Sequence, residues 1–328
     1  MNVYLIVLAA GTLLSLLLTP LVTAAALAIG LVDAPGGRKV HLVSVPRIGG
    51  VAVLLAAALA LGGVIWLDPA RAGLPVLSPL APILAGTALV FSIGLIDDVR
   101  GLPVWPRLTV QALAACLVMA SGLLIERITI SGQTWPLGLL AWPVTLVWIV
   151  GLTNAFNFID GIDGLAAGIA VIVGATCSAI LVGRSHLPEA LLLVALVGAA
   201  QGFLVYNLPP ASIFLGDSGS LSFGFVLATT AITGWQKGAT ALATGVPLLL
   251  FALPIADAAS AVIRRSRRRR NQPPPGALSL LRQLVEPDHE HIHHRLTRRG
   301  WSTRRTVLVL YGITIVLSGI ALATARPE

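Results

Sequence analysis

Charge is what this chain has least of. Only 11% of its 328 residues are Asp, Glu, Lys or Arg, against about 25% in a soluble globular domain. A water-facing surface of ordinary composition cannot be built from so few, so a soluble domain is excluded. Cysteine is nearly absent too. Cys116 and Cys177 both lie in apolar runs and read as small packing residues, with no disulfide framework implied. No fixed-period repeat occurs. The N-terminal apolar run from Val3 lacks a basic n-region and is long enough to span, so it is expected to be a spanning helix and not a cleaved signal. What remains is 56% hydrophobic and laid out in long runs. The expected fold is an all-α integral membrane protein.

About ten spans fit these runs at the roughly 20 residues a helix needs to cross. They are Asn2–Ile29, Ile48–Leu67, Pro79–Ile96, Leu108–Leu124, Leu139–Phe156, Leu165–Val182, Pro188–Tyr206, Ser218–Gly234, Ala239–Ile263 and Thr306–Ala323. The loops then alternate sides. One side collects Arg38, Lys39, Arg47, Arg100, Arg107 and the whole segment Arg264–Arg305. The other holds only Arg71, Arg127, Arg184, Lys237 and Arg326. The positive-inside rule makes the first side cytoplasmic and puts both termini outside. Trp66, Trp135, Trp142 and Trp235 then fall near outer span ends, as an aromatic belt does. Glu126–Trp135 alternates polar and apolar around Ser131-Gly132, which predicts a small outer β-hairpin. Residues 1–328 are expected to form one polytopic domain, with 264–305 as a basic, histidine-containing cytoplasmic loop within it. The run Arg264–Arg270 follows a span directly and reads as an anchor on anionic lipid, not as a nucleic-acid contact. Ala277–Val285 is apolar enough to lie flat in the interface.

Every loop with chemically able side chains lands on the cytoplasmic side. The longest is NAFNFIDGIDGLAAG, Asn154–Gly168, with Asn154, Asn157, Asp160 and Asp163 three apart in turn. Such neighbours share a helix face, but over nine residues a straight helix would turn the ends apart. A turn near Gly161 or Gly164 is therefore expected, with the polar groups converging on one cavity. Asp97-Asp98 ends a span in GLIDDVRGL. Adjacent carboxylates raise each other's pKa unless a cation or metal lies near. FLGDSGS, Phe214–Ser220, opens a span; its glycines admit close backbone approach. Its helix-start amides suit phosphate, and Asp217 suits Mg²⁺. RKVHLVSVPRIGG, Arg38–Gly50, offers cations before a span. Asp257 lies about two turns inside its span, where an acid is functional by default. PDHEHIHHRL contains His289-Glu290…His293, the letters of a zinc-protease HExxH. It sits in a polar loop and not inside an apolar helix, so the histidines with Arg295, Arg298 and Arg299 suit an anionic group better. Acids, a divalent ion and cations on one membrane face handle diphosphates. The residues thus point to transfer of a phosphate-linked group between a soluble and a lipid-borne partner.

The set RKVHLVSVPRIGG, LIDDVRGL, NAFNFIDGIDGLAAG, FLGDSGS and HIHHRL, in that order, resembles the polyprenyl-phosphate N-acetylhexosamine-1-phosphate transferases. These include MraY and the WecA/TagO-like enzymes. PRIGG and HIHHRL resemble the WecA/TagO branch. The resemblance implies attack of undecaprenyl phosphate, or a similar polyprenyl phosphate, on the β-phosphate of a UDP-N-acetylhexosamine, with UDP-GlcNAc expected. UMP would leave, Mg²⁺ would be required with Mn²⁺ as a substitute, and the product would start a cell-envelope glycan. By motif position, Asp217 would hold the metal. Asp97 and Asp98 would position or deprotonate the lipid phosphate, and Asn157 and Asp160 would shape the diphosphate site. Asp163 and Phe214 would hold the uracil. His291, His293, His294 and Arg295 would close on the sugar or diphosphate. Lys39, His41, Arg47, Asn154 and Gly164 would border the same cavity. The expected home is the bacterial cytoplasmic membrane, with membrane lipid and a second copy of the chain as further partners. Two departures stand out: Gly101 occupies a position where the family often has a third acid, and the stretch from Arg270 to His289 is long. The rivals are a transporter, which needs acids along a path across the membrane, and the zinc protease.

Overall fold

Lipid tails supply no hydrophobic force between helices, so close packing of small residues must hold them. In the computed structural model, which describes residues 3–33, 44–67, 74–130, 133–236, 245–268 and 292–325, this is how the bundle is built. The helices are α1 (Val3–Ala28), α2 (Gly49–Leu67), α3 (Leu74–Arg100), α4 (Val104–Ala120), α5 (Ala141–Ile159), α6 (Leu165–Gly183), α7 (Leu187–Asn207), α8 (Gly216–Gln236), α9 (Gly245–Leu250), α10 (Ala252–Arg268), α11 (Ile292–Arg298) and α12 (Thr303–Thr324). Gly198 and Gly202 of α7, four apart, admit the backbone of α1 at Leu8 and Thr12, and Tyr206 donates its hydroxyl to Leu16 O at 3.0 Å. Both sets of numbers rise together, so α1 and α7 run parallel.

Helix α8 is the axis. Every residue from Ser218 to Gly234 is buried, enclosed by α2, α3, α5 and α6. A helix surrounded by protein needs no lipid-facing side, and α8 accordingly carries Ser218, Ser220, Ser222, Thr229, Thr230 and Thr233. Hydroxyls of Ser222, Thr229 and Thr230 bond carbonyls one turn back, at 2.6–2.8 Å, which satisfies them without water.

Among the described residues, seven helices are long and apolar enough to cross a membrane: α1, α2, α3, α5, α6, α7 and α12. The other three expected spans differ in informative ways. α4 is a shorter apolar helix and begins at Val104, so Arg107 lies in its first turn and not in a loop. α8 falls outside the apolar set for the reason just given. The expected continuous span Ala239–Ile263 is broken at Phe251 into α9 and α10. Pro254 has no N–H to offer Leu250 O, so the ladder of bonds is interrupted there. Residues 239–244 of that span lie outside the described residues.

The expected hairpin is present. β3 (Arg127–Ile130) pairs antiparallel with β4 (Gln133–Pro136), Thr129 opposite Thr134; residues 131 and 132 lie outside the described residues. A second pair was not foreseen: β1 (Val32–Asp33) against β2 (Val45–Pro46). Arg47 follows β2 directly. The N-terminal end of α8 meets the C-terminal ends of α3 and α5, and α1 and α7 also end there. Both described termini, Val3 and Ala325, lie at the opposite end of the bundle.

Candidate active site

The polar end is assembled around the start of α8. Phe214 N donates to Pro46 O at 2.8 Å, while Gly49 N and Gly50 N donate to Phe214 O and Leu215 O at 2.9 and 2.7 Å. These bonds tie the Phe214 loop to the segment before α2. Gly216, at φ +76°, turns the chain into α8 with Arg47 O and the Asp98 carboxylate packed against it. A side chain at that position has no room.

Asp98 then takes the orphan amides of α8. Its Oδ1 accepts from Asp217 N at 2.7 Å and its Oδ2 from Ser218 N at 3.0 Å. The expectation that these amides would meet phosphate is corrected: a carboxylate from α3 already fills that place, as charge and helix dipole favour. With α8 so held, Asp217 lies at the centre of the cluster. Arg107 Nη1 donates to Asp217 Oδ2 at 2.5 Å and to Asp97 Oδ2 at 2.7 Å. Asp97 also accepts from Leu102 N. Asn157 Nδ2 donates to Asp217 Oδ1 at 2.9 Å and to Ser220 Oγ at 3.0 Å. One turn deeper, Asn154 Nδ2 donates to Gln111 Oε1 at 2.5 Å and to Val150 O at 2.8 Å.

Asp160 caps α5, in the turn between membrane helices. Burial pushes its carboxyl well above the usual range, and the charges of Asp217, Asp98 and Asp163 push it further. Asp163 Oδ2 accepts from Ala211 N at 3.0 Å and so braces the loop that leads to Phe214. Gly164, at φ +77°, starts α6. Its N–H donates to Asn207 Oδ1 at 3.1 Å, and its carbonyl accepts from the Tyr311 hydroxyl at 2.5 Å. Asn157 to Gly164 therefore make the turn that their spacing demands.

Asp97 and Asp217 thus share Arg107, Asp98 holds the Asp217 amide, and Asp160 lies close enough to Asp217 and Asp98 to feel their charge. Among the described residues no three His, Cys, Asp or Glu side chains form a metal-binding group. The donors are hard oxygens, and the acidic charge exceeds what one guanidinium neutralises. That set fits Mg²⁺, which typically takes one or two carboxylates and leaves its other positions to phosphate oxygens and water.

The model of glycosyl transferase family 4 matches residues 80–235, the stretch containing all of these acids. A probable undecaprenyl-phosphate N-acetylglucosaminyl 1-phosphate transferase of Bacillus subtilis is 34% identical over 314 residues, covering 94% of this chain and 82% of its own. This chain belongs to glycosyl transferase family 4. A decaprenyl-phosphate N-acetylglucosaminephosphotransferase of Mycobacterium tuberculosis is 33% identical over 322 residues, 89% of this chain and 76% of its own. A phospho-N-acetylmuramoyl-pentapeptide-transferase of Synechococcus is 34% identical but covers 74% of this chain. Within the family the chain falls with the WecA-like branch, whose members it matches over more of its length.

Asp97, Asp98, Asn157, Asp160 and Asp217 come together, with Asn154 one turn below. Asp163 and Phe214 are joined through the Ala211 loop. Gly164 spends both backbone groups on Asn207 and Tyr311. Arg47 pairs with Asp33 at 3.4 Å. Arg295 is exposed on α11, whose backbone also includes His293 and His294. Lys39, His41 and His291, the His289-Glu290 pair and Ala277–Val285 lie outside the described residues. Arg107 was expected only as a topology charge. Its spacing of four from Gln111 in an otherwise apolar stretch was the available signal.

Proposed function

We propose that this chain transfers N-acetylglucosamine 1-phosphate from UDP-N-acetylglucosamine to a polyprenyl phosphate at the cytoplasmic face of a bacterial membrane, releasing UMP. The observation that carries this reading is the chain of contacts from Asp97 through Arg107 and Asp217 to Asn157 at one end of a lipid-facing bundle. There a lipid phosphate and a soluble diphosphate can meet. The relatives of Bacillus and Mycobacterium, named for that transfer onto undecaprenyl and decaprenyl phosphate, support the same reading.

A lipid phosphate oxygen forms the new bond to the donor's β-phosphorus, and the bridging bond to the UMP phosphate breaks. The polyprenyl phosphate is already largely ionised near neutral pH, since its second pKa is about 6 by analogy with other phosphate monoesters. Both substrates reach the same face, so direct attack needs no covalent intermediate. Asp217 and Asp97 would hold Mg²⁺ together with the diphosphate, and a bound Mg²⁺ neutralises charge on the transferring group. Arg107 supplies fixed positive charge beside it. Asn157 orients Asp217 by donating to its Oδ1. Asp160, which accepts no hydrogen bond from the described residues, is free to face the substrates. Phe214 stacks on the uracil, on a loop braced by Asp163. The motif containing His291, His293, His294 and Arg295 would supply cationic and polar groups to the diphosphate.

Membranes containing the chain, supplied with polyprenyl phosphate and a panel of UDP-amino sugars, test this. The expected result is a lipid-linked sugar and UMP in equal amounts, abolished by chelating Mg²⁺ and restored by Mg²⁺ or Mn²⁺. UDP release, or no lipid product from any sugar, would overturn it. Stoichiometric zinc in the purified protein would instead favour hydrolysis.

A further inference from the structure

One buried acid has no part in the cluster. Asp257 of α10 is 1% exposed, three residues beyond the proline that breaks α9 from α10. Its Oδ1 accepts from Ile292 N at 2.7 Å, across 35 residues of chain. Ile292 is the first residue of α11, the helix carrying His293, His294 and Arg295.

A helix of seven residues cannot hold itself. Among the described residues, α11 is held by an acceptor at its start, by apolar packing and by a stop at its end. Asp257 satisfies an amide at its start. Ile292 and Leu296, one turn apart, pack on the apolar core. At its end, Trp301 N bonds Leu296 O at 3.3 Å and Gly300 N bonds Thr297 O at 3.0 Å, with Gly300 at φ +87°. This is a Schellman stop. The stop and the apolar pair are local or non-directional, and neither sets where α11 begins. The bond to Asp257 does. It joins α11 to α10, and α10 packs on α5, whose end carries Asn157 and Asp160. Ser260 and Arg264 continue the same face of α10, with Arg264 Nη1 donating to Ser260 Oγ at 2.9 Å.

We propose that Asp257 is a positioning residue that sets the register of the histidine-bearing helix. In that role it works as a fixed hydrogen-bond acceptor. The inference rests on the transferase reading for its kinetic consequence but not for its structural one.

The test pairs a structural readout with a kinetic one, on the full chain in detergent. Asp257→Ala removes the acceptor, while Asp257→Asn keeps an oxygen at the same place. Hydrogen exchange of the peptide 292–298 should speed at least tenfold in Asp257→Ala and stay within about threefold of the parent in Asp257→Asn. Transfer should follow, with kcat down at least tenfold in Asp257→Ala and restored by Asn. Ile292→Pro attacks the other partner: proline is accepted at a first helical position but offers no N–H. It should reproduce the Asp257→Ala defect, while Ile292→Ala, which keeps the amide, should not. This second pair decides the matter if Asp257→Ala does not fold. Unchanged exchange in both Asp257→Ala and Ile292→Pro would overturn the proposal. So would an Asp257→Asn variant with protected exchange but lost kcat, because the charge itself would then be needed. If the parent shows the exchange pattern but no sugar transfer, the anchor stands and the transferase reading falls.

Discussion

Asp160 shares its turn with too many like charges. Burial and the neighbouring Asp217, Asp98 and Asp163 raise its pKa in the fold, so the native state binds a proton that the unfolded chain has released. Between about pH 3.9, the ordinary Asp value, and the raised folded value, stability must therefore fall as pH rises. Asp160→Asn should flatten this slope and raise the neutral-pH Tm of chelated protein while lowering transfer. A Tm-against-pH curve identical to the parent's would show that another group titrates. Arg107 makes the converse case. It bridges Asp97 and Asp217 with about a fifth of its side chain exposed. Breaking a fully buried pair costs about 3–5 kcal/mol, and this exposure puts Arg107→Gln at or below the low end of that range. Its Tm should drop in chelator and recover partly with Mg²⁺, which can replace the lost positive charge. Transfer should fall at least 100-fold. A Tm loss that Mg²⁺ leaves untouched would mean that the carboxylates do not share a cation site.

Among the elements, the contact of α3 with α8 decides whether the site exists. Gly94 of α3 faces the α8 start so closely that a Cβ would lie 2.7 Å from Asp217 O and from Ser218 Cα. Those are backbone atoms and cannot rotate away. Gly94→Ala should cost about 1–3 kcal/mol, as overpacking does, and should draw Asp98 off the α8 amides, with most activity lost. Gly62→Ala in α2 is the control, because nothing lies within 4 Å of its Cβ position. There the same change should leave Tm level or raise it, since alanine is the better helix former by roughly 0.8–1 kcal/mol. Equal Tm values for the two variants would refute the close approach. The histidine helix is a similar case. Its sequence signalled chemistry, but its first amide is tied to an acid of α10, 35 residues away.

For the whole molecule, the polar cluster and the described termini lie at opposite ends, and Lys and Arg crowd the polar end. The orientation that follows has a direct measurement. In a Cys116→Ser background, Gly161→Cys in the exposed turn after α5 should react with an impermeant thiol reagent only after cells are opened. Leu139→Cys, 90% exposed near the hairpin, should react in intact cells. The reverse pattern would put the site outside and remove access to a nucleotide sugar.

Composition alone determined that this is a helical membrane protein, because so few charges cannot clothe a soluble surface. The motif spacing marked the acids and amides that the fold brings together at one end of the bundle, since acids survive beside lipid only where something satisfies them. The hairpin was legible from alternation. Other features were decided by tertiary structure. α8 reads as a modest span, yet it is the buried axis, because a helix enclosed by protein can be rich in Ser and Thr. Asp98 reads as half of an acid pair, but its partners are amides 119 and 120 residues away. Arg107 reads as a topology charge until α3 and α8 bring two carboxylates to it. In each case the deciding bond joins residues far apart in the chain, and periodicity and spacing report only on neighbours.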